Sequence, residues 1–187
     1  MRLTQTAIAG VWIIDEERQT DSRGYFARTF DTAVFAEHGL EIAWRQCSVS
    51  HNHRRGTLRG LHYQMVPYAE TKLVRCIRGA VHDVIVDLRP SSPTFHQHVS
   101  VDLTANNGRA VYVPPGTAHG FQTLEDETEL FYQITPEYVA AAAAGVRFDD
   151  PVLRIAWPLP VSVISDRDQS FVELGHEHQV GGAARTR

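Results

Sequence analysis

Lysine is almost absent from this chain: of its 18 basic residues all but Lys72 are arginine. A chain that uses the planar guanidinium everywhere else keeps a compact ammonium here, which marks position 72 for a role the arginine fork does not fill. Cysteine is scarce as well. Cys47 and Cys76 make no disulfide framework, and Cys76 sits in an apolar, strand-like run as a buried thiol. No 18 apolar residues run together, and the opening MRLTQTAIAG has no apolar signal segment, so neither a membrane partner nor export is expected. The reading is a soluble, cytoplasmic protein. A net charge of −4 argues against a nucleic-acid partner.

The positive charge is nonetheless uneven, with Arg45, Arg54, Arg55, Arg59, Lys72, Arg75 and Arg78 in one third of the chain. Singly these read as solvated surface; jointly they point to a small anionic ligand.

Helical periodicity is also in short supply. Short β-branched and aromatic runs recur between turn signals instead: AIAGVWIID, GYFARTF, AWRQCSVS, TLRGLHYQ, KLVRCIRG, AVHDVIVDL, FHQHVSVDL, AVYVPP, HGFQTL and ELFYQIT. That rhythm predicts an all-β sandwich or barrel. A helix is expected only in DTAVFAEHG, after an Asp cap and before a Gly stop, with a short turn around EYVAAAAAG. No repeat or linker divides the chain. One domain is expected over 1–180, with 181–187 as a frayed tail.

Residues 56–79, GTLRGLHYQMVPYAETKLVRCIRG, keep the frame of the first motif of the cupin jelly rolls: Gly56, five residues, His62, and a position seven before Gly79. The second motif is complete as Gly108, Pro114, Gly116 and His119. The fold class is therefore an all-β cupin jelly-roll barrel. Two metal-ligand positions, however, hold Gln64 and Lys72, neither a ligand of choice. The pairs in HNH (51–53) and HQH (96–98) could chelate if each lay on one strand face, but no third ligand follows at ligand spacing. They read as exposed histidines, and no metal is expected. His62, His119, Lys72 and Arg59 at one barrel mouth would instead suit proton abstraction beside a carbonyl, with fixed cations stabilising the enolate.

The chain resembles the dTDP-4-dehydrorhamnose 3,5-epimerase family, metal-free cupins that invert stereocentres beside the keto group of a nucleotide sugar. The likeness runs through DSRGYFARTF, GTLRGLHYQ, TKLVRCIRGAVHDVIVDLRPSSPTF, VPPGTAHGF, DDPVLRIAWP and SDRDQSF. It implies His62 as general base with Asp168 behind it, Asp166 being the alternative two residues away. It implies Lys72 and His119 at the keto oxygen and Tyr132 as the acid on the opposite face. Arg23, Arg59 and Arg167 would hold the diphosphate, while Phe26, Gln46 and Tyr138 frame the base, Tyr138 by stacking. No cofactor is implied. A homodimer is, with the N-terminal DSRG segment reaching the neighbouring subunit's site.

Two departures fall on the recognition side. Arg28 stands where many members carry Glu, and SVSHNHRRG replaces their N-x-S-x-S. The nucleotide, the sugar and the carbons inverted stay open. So do a ketoisomerase, a metal-dependent cupin oxygenase and a non-catalytic sugar-binding cupin, although the last needs neither His62–Asp168 nor Tyr132.

Overall fold

The computed structural model describes residues 1–174; the expected tail at 181–187 lies outside them. The strands in chain order are β1 (Arg2–Gln5), β2 (Trp12–Asp15), β3 (Arg18–Asp21), β4 (Gly24–Ala27), β5 (Gln46–Asn52), β6 (Leu58–Gln64), β7 (Thr71–Arg78), β8 (Ala80–Asp87), β9 (His98–Thr104), β10 (Ala110–Val113), β11 (Thr117–Thr123), β12 (Thr128–Thr135) and β13 (Ala143–Gly145). Two short helices, α1 (Thr32–Glu37) and α2 (Asp166–Gln169), complete the set with a 3-10 turn at Ala140–Ala142.

Two antiparallel sheets face each other, ordered β1-β2-β10-β7-β12-β5 and β13-β6-β11-β8-β9. Between them Val74, Val81, Ile85, Leu103, Val111, Phe121 and Leu130 form the main core. Both sheets are also covered from outside. Phe35 of α1 packs with Leu73 and Tyr112 on one back face, while Leu153 and Val146 meet Leu61, Val84 and Val86 on the other. Burial on two faces explains why β10 and β11 are buried along their whole length, and why AVYV reads as an unbroken apolar run. Asp31 caps α1 as expected, accepting from the N–H groups of Ala33 and Val34.

DLRPSSPTF organises a loop. Asp87 is fully buried and collects the Arg89 guanidinium (2.8 and 2.9 Å) and the hydroxyls of Ser92 (2.5 Å) and Thr94 (2.6 Å). Burial alone would raise its carboxyl; these donors outweigh it and hold Asp87 well below the usual carboxylate range. The same loop keeps the two histidines of HQH apart, in line with the reading that they form no chelate. β9 starts only at His98, and His96 has a left-handed φ of 64°, so these two histidines do not share a strand face.

The hairpin β3–β4 stands apart. Its strands pair only with each other among the described strands, and Tyr25 and Phe26 are exposed on it.

Candidate active site

At one end of the sandwich the apolar filling stops and a cavity of about 280 Å³ opens between the sheets. Inward-facing residues continue from core to cavity along each strand, as the period of two requires. On β7, Val74 lies in the core and Lys72 in the cavity wall; on β12, Leu130 is core and Tyr132 and Ile134 are wall. The opposite wall comes from β6 and β11, where His62 and His119 are cross-strand partners. Arg59, Gln64, Glu70, Tyr138 and Arg167 complete the lining that matters below.

The strand pair β6–β11 is drawn together at Gly60. A side chain there would bring its Cβ to 2.5 Å from the Gly120 Cα, and one on Gly120 would meet the Arg59 carbonyl at 2.8 Å. The pairing register also shifts between His119 and Phe121. Such an irregularity re-aims side chains, and Arg59 and His62, three residues apart, both line the cavity.

His62 Nε2 and Asp168 Oδ1 are 2.8 Å apart, and the Gly60 N–H donates to Asp168 Oδ2 at 3.0 Å. Asp168 is buried on α2, whose cap is Ser165 accepting from the Asp168 N–H. Burial pushes the Asp168 carboxyl up, but the bonds from His62 and Gly60 pull it further down, so its pKa lies below the ordinary value. An acceptor-only carboxylate at Nε2 places the imidazole proton there and leaves the Nδ1 lone pair free. Asp166, the alternative partner, is exposed at the start of α2. Phe171 meets the His62 ring edge-on at a centroid distance of 5.9 Å, a contact the sequence reading missed.

His119 has its own carboxylate. Its Nε2 lies 2.8 Å from Oδ2 of Asp83, which is fully buried on β8. Tyr132 stands beside it, the two rings edge to face at 6.1 Å. Burial, with the Asp83 charge adding to it, pushes the Tyr132 hydroxyl far above its usual range, so it is protonated at neutral pH.

Lys72 is buried and not alone: its Nζ is 2.9 Å from Glu70 Oε1 and donates to the His62 carbonyl at 3.4 Å. Gln64, at the lost ligand position, works as a clamp. Its amide donates to the Tyr68 carbonyl at 3.1 Å and accepts from the Val139 N–H at 2.7 Å. Gln46 does likewise for Tyr138, accepting its N–H at 2.9 Å. Arg59 donates through Nε to Asn52 Oδ1 at 2.8 Å.

The cavity thus gathers His62, His119, Lys72, Tyr132, Arg59, Tyr138 and Arg167, with Asp168 and Gln46 one bond behind. It does not gather Arg23 and Phe26, which lie on the exposed hairpin, Arg23 paired with Asp21 at 2.5 Å. Glu70, Asp83, Ser165 and Phe171 are additions. The residue pattern of Asp83 carried a signal, a carboxylate in the middle of the apolar VHDVIVD.

The family described as dTDP-4-dehydrorhamnose 3,5-epimerase matches residues 5–176. A dTDP-4-dehydrorhamnose 3,5-epimerase of Sinorhizobium fredii is 40% identical over 175 residues, covering 93% of this chain and 90% of its own. A dTDP-4-dehydrorhamnose 3-epimerase of Streptomyces niveus is 40% identical over 184 residues, covering 97% and 87%. The crystal structure of the Bacillus anthracis 3,5-epimerase with TDP and PPi bound superposes with a TM-score of 0.90 at 37% identity, covering 92% of this chain and 99% of that one. From the imidazole–carboxylate pair to these near full-length matches the findings agree: the chain belongs to the dTDP-4-dehydrorhamnose 3,5-epimerase family of isomerases.

Proposed function

We propose that the chain inverts carbon 3, carbon 5 or both in a dTDP-4-keto-6-deoxyhexose, through an enolate and with its own side chains. The carrying observation is that His62 and Tyr132 stand on opposite sheets across one cavity. Inversion needs a proton removed from one face of a carbon and another delivered to the other face. A base and an acid on facing walls meet that requirement.

His62 takes the proton from the carbon beside the keto group at Nδ1, and Asp168 supports the imidazolium. The C–H electron pair becomes the enolate double bond, and the negative charge moves to the keto oxygen. Lys72 and His119 stabilise that oxygen. Tyr132 then gives its proton to the opposite face and is reprotonated from solvent as His62 releases the proton it took. A cavity of about 280 Å³ seats the hexose rather than the whole nucleotide sugar, which leaves the diphosphate to Arg59 and Arg167 at the mouth. The ketoisomerase alternative is less well served, since an acid facing the base across the ring favours inversion.

The exposed hairpin carries a second part of the reading. A two-stranded ribbon that pairs with nothing else is marginal in water, and this one presents Phe26 at 68% exposure beside Arg23. We infer a homodimer in which Arg23 and Phe26 enter the partner's cavity. Two unpaired cysteines and a nucleotide-sugar substrate fit the cytoplasm.

Incubation with dTDP-4-keto-6-deoxyglucose in deuterated water tests activity and regiochemistry together. A 3,5-epimerase incorporates deuterium at both positions and a 3-epimerase at one; no incorporation at either carbon overturns the reading. Light scattering checks the dimer, and a monomer that is fully active at dilution would dismiss it.

A further inference from the structure

The histidine pair that sequence spacing left without a third ligand acquires one in the fold. His51 lies on the outer face of β5 and His53 just beyond the strand; Glu127 comes from the turn before β12, tied to them by its N–H to the His53 carbonyl at 3.2 Å. His51 Nε2 is 3.2 Å from His53 Nδ1 and 3.2 Å from Glu127 Oε2, and His53 Nδ1 is 3.3 Å from Glu127 Oε1. Ligands about 2.0–2.1 Å from zinc at tetrahedral angles stand about 3.3–3.4 Å from one another. The two nitrogens therefore make one edge of a zinc coordination tetrahedron, and each has a different oxygen of the Glu127 carboxylate at the same separation, Oε2 for His51 and Oε1 for His53.

Two further observations point the same way. Glu129, the cross-strand neighbour of His51, lies 3.1 Å from its other ring nitrogen. That contact directs the ring proton to Nδ1 and turns the Nε2 lone pair toward His53 and Glu127, the support that metal-binding histidines commonly have. Glu127 also adopts a left-handed φ of 51°, rare for a residue with a side chain. Lone pairs converging this closely need a proton or a cation among them, and a metal ion can take that place.

We propose that His51, His53 and Glu127 bind a divalent transition metal of the zinc type, with Glu129 as the positioning residue and a fourth position open to water. The site lies on the outer face of the sheet, away from the inward-facing cavity. It is independent of the epimerase reading and braces the end of β5 against the turn before β12.

Calorimetric titration of the chelator-treated full chain with zinc chloride tests this. The expected result is close to one zinc per chain, with a dissociation constant in the micromolar range or below, and a rise in melting temperature. His53→Ala, at a largely exposed position, should weaken binding at least about tenfold and abolish that rise. Glu129→Gln should weaken binding by about 10- to 100-fold. In the wild type, cobalt should give the intense visible bands of a tetrahedral complex. Substoichiometric zinc, or binding that survives His53→Ala intact, overturns the site; unchanged affinity in Glu129→Gln overturns the positioning role.

Discussion

Two imidazole–carboxylate pairs flank the cavity from neighbouring strands, each closed at 2.8 Å, and their surroundings set them apart. His62 is 38% exposed in its side chain, and the second oxygen of its Asp168 receives the Gly60 N–H. His119 is 4% exposed, and the second oxygen of its Asp83 has no donor among the described residues. The first pair is open to the cavity on the imidazole side and satisfied on the carboxylate side, which suits a group that gains and loses a proton in each turnover. The second pair is sealed. It suits a group held in one orientation by a carboxylate that water does not screen. One hydrogen bond is repeated in two different surroundings.

Breaking the open pair should have the largest effect. His62→Ala should lower exchange of the substrate's ring protons with deuterated water by about 10²–10⁴-fold, followed by NMR; Asp168→Asn should impair exchange with little change in dTDP affinity. Next comes Lys72→Ala, expected to lower turnover about 10²–10³-fold, the scale for losing one oxyanion stabiliser. Lys72→Arg should recover little of it, because Glu70 and the His62 carbonyl fit a compact ammonium; full activity in that variant would remove the special place given to lysine. Tyr132→Phe separates abstraction from delivery. Deuterium should still enter the sugar while inverted product falls about 10²-fold, and near-normal inversion would exclude the hydroxyl as the acid.

The sealed pair should answer through stability. Asp83→Ala leaves a buried imidazole N–H without its acceptor and should cost about 1–3 kcal/mol in urea unfolding; an unchanged midpoint would contradict the contrast. The smallest effect concerns acid. The Asp168 carboxyl lies lower in the fold than in the unfolded chain, so its contribution to stability is present above about pH 4 and fades as pH falls through the folded value. Asp87 works with the same sign. The stability gap between wild type and Asp168→Asn should therefore narrow between pH 7 and pH 3.

Most of the architecture was legible because each long strand carries its own pattern. The elements that escaped were short. RLTQ and RQTD lack alternation, and in AAAAAG a helix-like composition yields to pairing of Ala143–Gly145 with β6. In the site, the motif frame located His62, His119 and Lys72, whereas Asp83 depends on which strands become neighbours, and Glu70, only two residues before Lys72, was within local reach and went unread. Ser165, three residues before Asp168, had the form of a capping box and went unread. Glu127 escaped for the plainest reason. It is 74 residues from His53 in sequence, and no local spacing rule reaches that far.

The glycine contact between β6 and β11 bears on how such an enzyme could change its product. Because Gly60 and Gly120 leave no room for a side chain between the strands, the distance from one imidazole to the other is fixed by missing atoms rather than by the imidazoles themselves. Selection for a different stereochemical outcome cannot slide the two groups apart by small steps, since every replacement at either glycine meets backbone. It has to work by tilting the sugar. The surfaces that can do so are β5 and the segment at Tyr138, which line the cavity, and β5 carries the start of the SVSHNHRRG departure. A chain with this pair is thus free to diversify at the rim while its proton-transfer geometry is inherited whole.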